Sequence, residues 1–189
     1  MRLLTSAILS LALLSPALAV PGYPQGSQCG GGVDAHTADE VIAELGMTPV
    51  PGTDGSWVVK TFEDPLNVTS AIHTSRPAAS ARYHLLVRTS TNKGFGRWFK
   101  KADASEVWSY LGGAPVTITT ARNDGTPAHS EVLGPNIFAG QRPQIVVPRG
   151  VWQLKKIEAK WSLNGGTSAP ATNLGDVEIA PVGWWPKTS

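Results

Sequence analysis

A single cysteine, Cys29, is all that the 189 residues carry, so no disulfide can close within the chain. Stability has to come from a packed core, which a chain of this length can bury. Cys29 has two readings, a bridge to another chain or an unpaired thiol in a Gly-rich leader. An excess of one charge is also lacking. The 16 basic residues stand against 14 acidic ones, which argues against nucleic acid or an anionic membrane as partner. The one basic cluster, Lys155, Lys156 and Lys160, has the pattern of a solvated strand face. No G-x-S-x-G, H-E-x-x-H or P-loop motif occurs, so a serine hydrolase, a zincin and an NTPase lack support.

Long apolar runs are missing too, except at the start. Arg2 supplies a positive charge, residues 3–14 are apolar, and Ala17-Leu18-Ala19 is a small-x-small cleavage site. Residues 1–19 therefore read as a secretory signal peptide, too short to span a bilayer comfortably, with an uncleaved anchor as the alternative. Its removal leaves no membrane segment and places the protein in the secretory lumen or outside the cell. Asn67-Val68-Thr69 is an N-glycosylation sequon in that setting. Residues 20–36, rich in Gly, Pro, Ser and Gln, read as a flexible leader. Residues 37–189 are expected to form one domain.

Helical periodicity is confined to one short stretch. Thr37 and Glu40 form a capping box, Val41, Ile42 and Leu45 share an apolar face, and Gly46 is placed to end the helix. Beyond it the hydrophobic pattern alternates. Strands are expected over 56–62, 82–89, 96–101, 105–111, 116–121, 144–147, 151–156, 160–163 and 176–180. Turn signals separate them: Asp54-Gly55, Gly112-Gly113, Asn123-Asp124-Gly125, Pro148-Arg149-Gly150 and Asn164-Gly165-Gly166. His36, His73 and His129 fall in loop-like contexts. Many short strands at this spacing predict an all-β sandwich or barrel.

Several segments coincide in order with one family. Asp54-Gly55-Ser56-Trp57-Val58-Val59-Lys60-Thr61 resembles an E-G-G-Y-F-R-E-T run, and Arg82-Tyr83-His84-Leu85-Leu86 resembles a T-x-I-Y-Y-L-L strand. Trp98-Phe99-Lys100 followed by residues 105–110 is similar to W-H-R…D-E-I-W-H-F. Residues 143–153 are close to P-Q-x-V-V-P-A-G-x-W-Q, and 165–178 fit the spacing of G-C-T-V-A-P-G-F-D-F-E-D-F-E. On these segments the chain resembles the cupin superfamily, in its DUF985 branch. The resemblance implies a double-stranded β-helix barrel, commonly a homodimer, with a pocket inside. At the cupin metal-ligand positions this sequence has Phe99, Lys101, Glu106 and Gln153. Phe and protonated Lys offer no lone pair and Gln is a poor transition-metal ligand, so no metal and no other cofactor is expected.

In the cupin register Arg97, Phe99 and Lys101 share an inward face, as do Glu106, Trp108 and Tyr110, and Val151, Gln153 and Lys155. The face carrying Arg82, His84 and Leu86 is open to either direction. Lys101, Glu106 and Tyr110 are the catalytic candidates. Phe99, Trp108, Gln153, His84 and Trp57 are the substrate-binding candidates. Lys101 and Glu106 read either as an acid–base pair or as a buried ion pair, and Phe99 and Trp108 either as a platform or as core. His84 reads as a sheet histidine or as a functional one. Val59 and Phe99 replace an Arg and a His of the branch, which points to a more hydrophobic ligand, though Lys60 for Glu and Ser109 for His do not follow that trend. Two functions follow. One is a metal-independent enzyme that isomerises or cyclises a small, mostly apolar metabolite, pericyclic steps such as a hetero-Diels–Alder addition included. The other is a secreted protein that holds a small ligand or a carbohydrate without chemistry.

Overall fold

The computed structural model describes residues 32–70, 72–73 and 75–188. The predicted signal peptide, Cys29 and most of the predicted leader lie outside the described residues. The end of that leader is docked: Val33–Ala35 forms a 3-10 turn, Asp34 accepts a hydrogen bond from the Gly113 amide, and the His36 carbonyl accepts one from Trp161 Nε1 at 3.2 Å. One helix follows, α1 (Ala38–Leu45), capped as its sequence dictates. Thr37 and Glu40 exchange the two capping-box bonds, and Gly46 takes the left-handed conformation at φ +60° that a side chain would disfavour.

The strands are β1 (Thr48–Pro49), β2 (Ser56–Glu63), β3 (Asn67–Val68), β4 (Arg76–Pro77), β5 (Ser80–Val87), β6 (Phe99–Lys101), β7 (Ser105–Gly113), β8 (Val116–Ala121), β9 (His129–Leu133), β10 (Gln144–Val147), β11 (Trp152–Ile157), β12 (Trp161–Ala169) and β13 (Val177–Ile179). All pairings between them are antiparallel. One sheet has the order β1-β2-β5-β12-β7-β10, a second has β13-β6-β11-β8-β9, and β3 pairs with β4 alone. This is the all-β architecture expected from the alternating pattern, in the barrel form that the cupin resemblance implies.

Period-two alternation sorts each central strand into an inward and an outward row. On β11, Trp152 and Leu154 face outward and pack with Trp98, Ala180 and Trp184. Gln153 and Lys155 face inward. On β5, Leu85 packs outward beneath α1 with Val41, Met47, Trp161 and Leu163, whereas Arg82, His84 and Leu86 point in. Between the sheets, Trp108, Val116, Ile118, Leu133, Ile145 and Ile157 fill one end of the barrel.

Two sequence expectations fail here for physical reasons. Asn164-Gly165-Gly166 is not a turn but the middle of β12, paired with β5 on one side and β7 on the other. Gly166 is there because the Trp108 indole lies against it: a Cβ would sit 2.7 Å from Trp108 Cζ3. His129, read as a loop residue, opens β9, whose pairing with β8 its sequence did not announce.

Candidate functional site

The half of the barrel not filled by core side chains holds a cavity of about 90 Å³. Alternation along four strands delivers its wall. β6 supplies Phe99 and Lys101, β7 supplies Glu106 and Trp108, β11 supplies Lys155, and β5 supplies Arg82 and His84. Trp108, with no exposed surface, separates the cavity from the packed end.

On one side of Trp108 a chain of polar groups is partnered. Its Nε1 donates to Gln153 Oε1 at 2.7 Å, and Gln153 Nε2 donates to Glu106 Oε2 at 3.0 Å. The other Glu106 oxygen accepts from Lys101 Nζ, which also donates to Ser168 Oγ at 2.6 Å. Burial lowers the Lys101 pKa while the Glu106 charge holds it up.

The other side has no such closure. Lys155 Nζ lies 2.8 Å from the Trp108 ring centroid and has no hydrogen-bond or ion-pair partner among the described residues. Lys155 is 7 % exposed, so the solvated face expected of the basic cluster holds for Lys160 and fails for Lys155. Burial pushes its pKa well below the ordinary lysine range. Glu106 opposes this and Lys101 adds to it. His84 meets the Trp108 edge with centroids 4.8 Å apart and planes at 78°, and its buried Nε2 is unpartnered. Its pKa is likewise driven well down, by burial first and then by Lys155, Lys101 and Arg82. The lining carries five basic side chains, Arg82, His84, Arg97, Lys101 and Lys155, and one carboxylate, Glu106. Such a wall favours an electron-rich oxygen on whatever enters.

The structure thus brings Lys101, Glu106, Phe99, Trp108 and His84 to one cavity, with Gln153 behind them. It does not bring Tyr110 there. The Tyr110 hydroxyl donates to the Gly113 carbonyl at 2.7 Å, and its ring packs on the filled end of the barrel. Trp57 sits on the opposite face of its sheet, in the cluster under α1. Lys155 is the group that sequence reasoning left out of the site. Its spacing from Gln153 carried the signal, and the neighbouring lysines masked it.

The donors at the cupin ligand positions do not fit a metal ion. Phe99 has no donor atom, Lys101 Nζ is engaged by Glu106 and Ser168, and the Gln153 oxygen accepts from Trp108. Among the described residues no three His, Cys, Asp or Glu side chains cluster as a metal site would need.

The two-sheet barrel agrees with a family model. Residues 39–180 match the model described as Cupin superfamily (DUF985). The chain belongs to the cupin superfamily, in this DUF985 branch. No curated protein matches it by sequence. Among solved structures, this cupin resembles a hypothetical protein from Leishmania major, with 19% identity and a TM-score of 0.66 over 77% of this chain and 88% of that one. It is similar also to a protein from Shewanella oneidensis, with 24% identity and a TM-score of 0.65 over 77% of this chain and 85% of that one. At these identities the likeness is one of fold.

Proposed function

We propose that this cupin is a metal-independent enzyme that isomerises or cyclises a small, mostly apolar metabolite bearing a carbonyl or carboxylate oxygen. Pericyclic closures such as a hetero-Diels–Alder addition fall within this reading. The observation that carries it is the pair of basic side chains Lys155 and His84, whose Nζ and Nε2 have no hydrogen-bond partner among the described residues, set beside Trp108 and Phe99 in the barrel cavity. Burial favours the neutral form of both side chains, and a neutral base can take a proton from a substrate. Lys101, held by Glu106 and Ser168, and Arg82, which lines the same cavity, stabilise negative charge developing on a substrate oxygen. The apolar wall holds the remainder of the molecule in a reactive fold. In this arrangement Glu106 keeps Lys101 charged and positioned, Gln153 holds Glu106, and Tyr110 has no part.

The wider setting belongs to the same proposal. The protein is secreted, with a glycan on Asn67, which is exposed on β3. It acts as a homodimer. Exposed Val146 on edge strand β10 and exposed Phe138 in the turn before it support that pairing. One feature favours the non-catalytic alternative: an outer groove of about 490 Å³, lined by Trp98, Trp184 and Trp185, of the kind that stacks on a sugar ring. Metabolite profiling of a strain lacking the protein tests the choice. A precursor that accumulates and is converted by purified protein, but not by Lys155→Met or His84→Phe protein, supports catalysis. A strain with an unchanged profile, and purified protein that retains a sugar, support binding alone.

A further inference from the structure

Lysine chemistry in the cavity divides between two residues. Lys101 Nζ is spent on Glu106 and Ser168 and faces nothing new. Lys155 Nζ lies over the Trp108 face with no acceptor, and the side chain lines the cavity. The charged and titratable groups that face it are Glu106 from β7, Lys101 from β6, and His84 and Arg82 from β5. Three of these are basic, and the one carboxylate is already paired with Lys101. A buried amine beside a second cation is the arrangement that keeps a lysine unprotonated and nucleophilic.

We propose that Lys155 is the covalent anchor of this site, forming an imine with the carbonyl of a small, mostly apolar ketone or aldehyde. The Nζ lone pair attacks the carbonyl carbon and forms the C–N bond, and the carbonyl π pair moves to oxygen. Both amine protons end on that oxygen, which leaves as water, so that amine and carbonyl compound give imine and water with no other reactant. His84 faces the same space and has a free ring nitrogen for the proton relay. Once protonated, the imine withdraws electrons from a conjugated chain, which eases double-bond migration and ring closure. The inference deepens the proposed isomerase or cyclase reading and rests on the same cavity.

The test is reductive trapping. Purified full-length protein is treated with propanal and sodium cyanoborohydride at about pH 6, where ordinary lysines are almost wholly protonated. Peptide mapping then locates the propyl groups. Lys155 is expected to be modified at least about tenfold faster than the exposed lysines Lys60, Lys93 and Lys187. Lys155→Met protein, an apolar near-isostere that keeps the fold, is expected to lose that label alone. Modification confined to exposed lysines would overturn the proposal. The two readings also fail separately. A Lys155 adduct without turnover of any metabolite sinks the enzyme reading and leaves the imine. Turnover that survives in Lys155→Met does the reverse.

Discussion

The two sides of Trp108 use the same kinds of residue to opposite ends. On one, Lys101, Glu106, Gln153, Ser168 and the indole N–H form an unbroken chain of hydrogen bonds. On the other, Lys155 Nζ and His84 Nε2 lie beside the same ring with no hydrogen-bond partner among the described residues. A buried polar group with its partners in place specifies the packing around it. One without them is a standing cost that a ligand or a bound water can offset. The difference separates scaffold from chemistry more sharply than residue type does, since each side has one lysine.

Truncating the partnered side should cost most. Glu106→Ala leaves the Lys101 charge buried and uncompensated, and is expected to lower unfolding free energy in urea by about 3–5 kcal/mol. Gln153→Leu strands the Trp108 N–H and one Glu106 oxygen, with an expected loss of about 2 kcal/mol by the same measurement. A negligible effect of either would erase the contrast. On the open side the sign reverses. Lys155→Met removes an unpartnered amine and should raise stability by about 1–2 kcal/mol near neutral pH.

That gain should depend on pH. Because the native pKa of Lys155 is lowered, the unfolded chain keeps its Lys155 proton to higher pH than the native protein does. Wild-type stability therefore climbs with pH, and the advantage of Lys155→Met shrinks as the pH nears about 10.4, the ordinary lysine value. His84 gives the smallest effect, with the same sign. Its native pKa is also lowered, so wild-type stability should fall as the pH drops below about 6.5, by at most about 1 kcal/mol over the first unit. The fall should be absent in His84→Phe, and thermal melts across a pH series would show it. A Lys155→Met protein less stable than wild type at every pH would place Lys155 with the scaffold.

Much of this was legible in the linear chain. The capping box from Thr37 to Glu40 and the alternation in β7, β8, β10 and β11 are local patterns whose physical causes act within a few residues. Residues 143–153 carried the family resemblance for the same reason. Gly165-Gly166 misled because a glycine pair marks a turn when read locally, whereas here it clears space for an indole on another strand.

The sequence by itself determined the barrel, its short helix and which rows of side chains could point inward. It also determined that three of the four cupin ligand positions hold Phe99, Lys101 and Gln153, which are poor metal donors, since donor chemistry belongs to residue type alone. Only the tertiary structure decided that Tyr110 bonds to a backbone carbonyl outside the cavity and Trp57 packs under the helix. It alone showed that Lys101 is partnered while Lys155 is not. Partnership is a property of pairs brought together across strands, and Lys155 shows no sign of its burial within its own run of lysines.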